Sequence, residues 1–184
     1  PSLFDWRKRL NTPKDAQVVL FIANNYEHKG LDLVFDAIKE VLKQKEVYLW
    51  VGGRGNIPKY KAKAKSLGIA DFVRFTGMIK ENLPHLYRSS NLFVLPSKFD
   101  TFGIVVIEAL ASGLPVIVSG TTGASHLLDP DANDQLIDFK AGCSELSKRT
   151  NFILSNENNK DISHEFKKKF LPQSPFDFYA KFCN

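Results

Sequence analysis

Short apolar runs alternate along this chain with segments whose apolar residues recur every three or four positions. Residues 17–23 (QVVLFIA) are apolar almost throughout, which predicts a strand buried on both faces. Residues 29–43 place Leu31, Val34, Phe35, Ile38 and Leu42 on one stripe of an amphipathic helix. A second strand is predicted over 47–51, followed by Gly52-Gly53-Arg54-Gly55 and by a helix over 57–67 that Gly68 stops. A third strand covers 72–76 and ends at Gly77; a short helix over 82–89 turns Leu83, Leu86 and Tyr87 inward. Residues 92–119 read as strand, helix, strand: Pro96 closes the first run, Gly113 and Pro115 close the helix, and 116–119 is apolar again. That is a parallel crossover unit. A last short strand is predicted over 135–138, with helices at about 143–154, 162–170 and 176–182. Residues 1–15 are polar and irregular around Trp6 and read as a linker or docking segment. The alternation predicts an α/β domain over 16–155, a doubly wound parallel sheet of about six strands with right-handed crossovers, and a helical C-terminal part over 156–184.

Such sheets bind ligands at the carboxyl ends of their strands. The polar clusters at 24–29, 52–55, 77–80, 97–103 and 119–126 each follow a predicted strand, so they converge on one edge. Glu108 stands out there, because it lies among Val105, Val106, Ile107, Ala109 and Leu110. A carboxylate in an apolar helix is costly unless something hydrogen-bonds it. Asp100 lies in the loop that feeds the same helix, where backbone N–H groups converge into an anion site. Amides for a phosphate and two acids for hydroxyl groups suit a sugar nucleotide. The plainer alternative is a surface loop acid and a helix acid that faces a Lys or Arg.

Lys29, at the start of the first predicted helix, opposes the helix dipole and wants a nearby anion such as a diphosphate; the alternative is an exposed surface lysine. Gly52, Gly53 and Gly55 either let a ligand approach the backbone or make a tight turn; they lack the dinucleotide spacing. Arg54 adds charge beside them. Asp129-Pro130-Asp131 has the form of a metal-binding acidic pair, but Pro130, Asn133 and Asp134 favour an acidic turn. His28 and His126 fall on the same rim, His85 packs on its helix, and with His164 the four show no ligand spacing.

Composition changes this picture little. The chain has 184 residues, 43% of them hydrophobic and 24% charged, enough for one domain, or for one domain with a small appendage. A net charge of +5 mildly favours anionic ligands or an anionic membrane surface and is too diffuse for nucleic acid. Lys59, Lys61, Lys63, Lys65 and Lys167 to Lys169 read as solvated faces, with peripheral contact to anionic lipid as the second reading. Cys143 and Cys183 form no metal or redox pattern, and a reducing cytoplasmic location is expected. The sequence opens on Pro1 with no initiator Met, which reads as a piece of a longer protein.

Taken together, several motifs resemble the retaining glycosyltransferases of family 4, specifically the C-terminal, donor-binding half of their Rossmann-like GT-B fold. The matching pieces are Lys29-Gly30, Val51-Gly52-Gly53, Phe75-Thr76-Gly77, Leu86-Tyr87 with Asn91, Pro96-Ser97 to Glu108-Ala109, and Ala111 to Val116. His28-Lys29-Gly30 and Gly123-Ala124-Ser125-His126 are most similar to the lipopolysaccharide-core glucosyltransferases of that family. The resemblance implies that Lys29 binds the donor diphosphate and Glu108 holds the ribose hydroxyls. It implies that the backbone of Gly77, Met78 and Ile79 receives the base. Asp100 would bind the transferred sugar, helped by amides at Thr101, Phe102, Gly103 and Ile104. It implies a UDP-sugar as the favoured donor, no metal, and a glycan or lipid-linked acceptor held on an N-terminal domain. Aromatic residues of the C-terminal helices (Phe170, Phe176, Phe178, Tyr179, Phe182) would then either face that domain or pack on this one. Two departures stand out. The family has Glu where Asp100 stands, and an Arg where Asn24 stands, a contact that Arg54 or His28 could replace. Other readings are a donor-binding subunit that needs a partner chain, an epimerase-type domain of the same fold, and a non-sugar nucleotide module.

Overall fold

The computed structural model describes residues 4–128 and 135–156. Six strands form a single parallel sheet: β1 (Gln17–Asn24), β2 (Val47–Arg54), β3 (Val73–Gly77), β4 (Leu92–Leu95), β5 (Val116–Ser119) and β6 (Leu136–Ile137). Their order across the sheet is β3-β2-β1-β4-β5-β6. Every pairing is parallel, as in the doubly wound sheet predicted above. The inner strands are buried on both faces, which is why their sequences are apolar without alternation.

Six α-helices accompany the strands among the described residues: α1 (Trp6–Arg9), α2 (Leu31–Leu42), α3 (Ile57–Leu67), α4 (Leu83–Arg88), α5 (Ile104–Ala111) and α6 (Gly142–Ser155). In α2 the buried stripe is Leu31, Val34, Phe35, Ala37, Ile38 and Val41, with Leu42 at its edge rather than in it. Asn56 caps α3 by accepting from the Lys59 amide at 3.0 Å, and Gly68 ends it in a left-handed conformation. α6 packs along α2, and α4 against α5.

Three differences from the sequence reading bear on the site and its surroundings. α2 begins at Leu31 because Gly30 adopts φ +82°, so Lys29 belongs to the loop and not to the first helical turn. β2 continues through Gly52 and Gly53 to Arg54, since its ladder with β1 runs on to Asn24↔Arg54. The N-terminal segment is ordered onto the domain. Trp6 is 6% exposed, its indole donates to the Asn82 carbonyl at 3.0 Å, and the Trp50 indole donates to Thr12 Oγ1 at 3.0 Å. Arg7 donates to the carbonyls of Ala16 and Ser89 at 2.7 and 2.9 Å. The helices predicted over 162–170 and 176–182, and Asp129-Pro130-Asp131, lie outside the described residues.

Candidate functional site

Strand order reverses between β1 and β4, the point at which doubly wound sheets bind ligands. Two loops meet there, 25–30 after β1 and 96–103 after β4. They are locked together: the Lys98 amide donates to the His28 carbonyl at 3.2 Å, and a Cβ on Gly30 would lie 2.2 Å from the Pro96 carbonyl oxygen. This closeness carries Lys29 across to the second loop. Its Nζ lies 2.8 Å from Asp100 Oδ2 and donates to the Phe99 carbonyl at 3.0 Å, with both charged side chains about one-fifth exposed (21% and 19%).

The other oxygen of Asp100 faces the start of α5. Oδ1 accepts from the Gly103 amide at 3.0 Å and from the Phe102 amide at 3.3 Å. Asp is one methylene shorter than Glu, yet here it spans from the Lys29 ammonium to the helix entrance. A third loop holds this one from behind. The Asp100 amide donates to the Thr121 carbonyl, the Gly123 amide donates to the Asp100 carbonyl, and the Ser119 hydroxyl donates to the Ser97 carbonyl at 2.6 Å. Ser97, Ser119 and Thr122 are fully or nearly fully buried, so the polar groups beneath the loop satisfy one another.

Glu108 lies one helical turn beyond Ile104, about 6 Å along the axis of α5. Its partner is neither Lys nor Arg. The Tyr87 hydroxyl of α4 donates to Oε2 at 2.8 Å, and that ring is buried. Burial, and then the negative charge of Glu108, push the Tyr87 phenol well above its ordinary pKa. Tyr87 is the residue of this site whose role the sequence reading missed. The signal was there in the pattern: an inward phenol needs an acceptor, and a helix acid needs a donor.

Other expected residues fall on the same edge of the sheet. Gly77 ends β3 at φ +67°, and Met78 beyond it is 53% exposed. Ile79 folds back so that its Cδ1 would lie 2.8 Å from a Cβ on Gly52. Gly53 and Gly55 are likewise explained by packing, against the Ala23 backbone and the Tyr26 ring. Thr101, Phe102 and Ile104 are exposed around the α5 entrance, Phe102 by 70%. Arg54 and His28 are exposed, Arg54 at the end of β2 beside Asn24. Among the described residues no hydrogen bond or ion pair joins Arg54, His28 or Glu108 to the Lys29–Asp100 pair. Chemically, the edge offers the Lys29 ammonium, a helix entrance with its amides, and the carboxylates of Asp100 and Glu108.

Residues 4–170 match the family described as Glycosyl transferases group 1. The chain belongs to this family. Among relatives of this glycosyltransferase domain is the lipopolysaccharide core biosynthesis glycosyltransferase LpsE of Rhizobium meliloti, 31% identical over 137 residues, 72% of this chain and 38% of that protein. Among solved structures, WaaG, a glycosyltransferase involved in lipopolysaccharide biosynthesis, superposes with a TM-score of 0.79 at 23% identity, covering 95% of this chain and 47% of that one. Anabaena HepE in complex with UDP and glucose gives 0.80 at 19% identity, covering 96% and 49%. The group 1 domain thus has the architecture of the C-terminal half of GT-B glycosyltransferases and spans about half the length of these solved chains.

Proposed function

We propose that this domain holds the nucleotide diphosphate sugar for a retaining hexosyltransferase, with a uridine diphosphate sugar as donor. Lys29 meets the diphosphate and stabilises it as it leaves, with the amides at the α5 entrance beside it. Asp100 binds hydroxyls of the transferred sugar, with the amides of Thr101, Phe102, Gly103 and Ile104 around it. Glu108 takes the ribose hydroxyls, and the backbone of Gly77, Met78 and Ile79 receives the base. Arg54 stands about 5 Å from Asn24 across the ladder, where it supplies positive charge to the phosphates together with His28.

The observation that carries this reading is the contact of Lys29 with Asp100, 70 positions apart in the chain, at the switch point of the sheet. Family membership supports it, as does the UDP and glucose found with HepE. LpsE and WaaG act in lipopolysaccharide biosynthesis, and in keeping with that the proposed acceptor is a glycan or lipid-linked sugar held on an N-terminal domain of the whole protein, at the inner face of a membrane.

Titration calorimetry with UDP-, GDP- and ADP-glucose tests the donor. Heat is expected with at least one, UDP-glucose first. Asp100→Ala should weaken binding of the sugar nucleotide by about 1–3 kcal/mol and of the bare nucleoside diphosphate by less. Lys29→Ala should weaken both. Absence of binding with every donor would overturn the proposal.

A further inference from the structure

We propose that Tyr87 is a positioning residue that aims the Glu108 carboxylate at the donor; the inference rests on the ribose-binding role given to Glu108 above. Glu108 projects from a helix whose neighbouring positions are apolar, and it is half-buried. A carboxylate so placed, without a fixed donor, would swing toward water. Turned outward, it would no longer present its two oxygens to a pair of sugar hydroxyls.

Tyr87 removes that freedom. Its single hydroxyl hydrogen has two acceptors in reach, Glu108 Oε2 at 2.8 Å and the Val105 carbonyl at 3.3 Å. The shorter, charge-assisted bond to the carboxylate is the stronger. That bond occupies one oxygen; among the described residues no hydrogen bond is made to Oε1. The phenol itself has little freedom. It is 1% exposed and packs edge-on against Phe93 of β4, with ring centroids 6.0 Å apart. The helix that carries it is gripped at both ends by the N-terminal segment: Trp6 holds the Asn82 carbonyl at its start and Arg7 the Ser89 carbonyl at its end. Buried beside a negative charge, the phenol keeps its proton and stays a donor.

The test is a cycle between protein and ligand. Affinities of UDP and of 2′,3′-dideoxy-UDP are measured on the chain as it stands, on Tyr87→Phe, on Glu108→Gln and on the double variant. Tyr87→Phe keeps the ring and its packing, and an unchanged circular dichroism spectrum checks this. It should bind UDP about tenfold more weakly and dideoxy-UDP unchanged. In the Glu108→Gln background it should add little, because the two residues act through one contact. Equal losses for both ligands would mark Tyr87 as merely structural and overturn the inference. So would an unchanged UDP affinity in Tyr87→Phe when Glu108→Gln has lost it, and in that case the donor reading stands. Loss of neither ligand in Glu108→Gln would overturn the reading of Glu108 and the inference with it.

Discussion

Gly30 is the residue on which the geometry around Lys29 turns. Its φ of +82° is left-handed, and any side chain there would meet the Pro96 carbonyl. Gly30→Ala is therefore expected to destabilise the domain by at least about 1–2 kcal/mol from backbone conformation alone. It should also weaken nucleotide binding more than its loss of stability explains, because the two loops must part. Thermal unfolding and a UDP titration on the same variant separate these effects; full affinity in a folded Gly30→Ala would refute the loop-locking account. The Lys-Gly pair was legible in the sequence, but its geometry was not. The sequence pattern suggests a cation opposing a helix dipole, whereas the left-handed glycine takes Lys29 out of the helix and lets it reach Asp100. Glu108 was legible as an acid out of keeping with its apolar helix, and Asp100 as an acid in the loop that feeds that helix. Tyr87 was not, because an inward tyrosine at helical spacing looks like ordinary core until its acceptor is known.

At the scale of elements, α2 and α3 are joined by a polar clamp. Asp32, in the first turn of α2, accepts from the Tyr60 hydroxyl at 2.9 Å and pairs with Lys63 of α3. Lys59 pairs with Glu27 at 2.9 Å, in the loop before α2. Two of the four lysines on α3 thus have acidic partners, while Lys61 and Lys65 remain exposed, which leaves less free charge for an anionic surface than the sequence count suggests. Burial alone would raise the pKa of Asp32, but the bonds from Lys63 and Tyr60 outweigh it and hold it below the ordinary value. A depressed carboxylate stabilises the fold above its unfolded pKa, about 3.9, and loses that contribution as pH falls through the folded value. Asp32→Asn should accordingly melt below the unsubstituted chain at pH 7, with the difference shrinking below about pH 4. A gap that does not change across that range would mean that the charge of Asp32 contributes nothing. Among the described α-helices, the sequence pattern does not signal α1. Four residues are too few for a periodic signal, and the segment is held by long-range bonds from Trp6 and Arg7, and by Arg74 reaching back to the Leu10 carbonyl at 2.8 Å. No local pattern encodes such bonds.

For the molecule as a whole, strand order decides where the ligand goes. Apolar runs and helical stripes were enough to predict the parallel sheet, because the inner strands are buried on both faces and parallel strands need crossover connections, most often helical. They did not specify the order, which places β1 and β4 side by side and brings the loops after them into contact. If nucleotide binds at that reversal, it touches only loops at the carboxyl ends of the strands and stabilises the fold by mass action. At a UDP concentration 100-fold above Kd the gain is about 2.7 kcal/mol, which for a chain of this size raises Tm by about 5–10 °C. Amide hydrogen exchange should slow most over 25–31, 77–80 and 97–108, the first from β1, the second from β3 and the third from β4 into α5. The amino ends of the strands, at Gln17, Val47 and Val116, should gain only what global stabilisation gives. Protection centred on those ends, or on the contact of α2 with α6, would place the ligand on the wrong side of the sheet and refute the assignment of Lys29, Asp100 and Glu108 together. A rise in Tm with protection confined to the three loops would support a single site at the switch point, and Asp100→Ala would then be expected to lower protection at 97–103 before it affects 77–80.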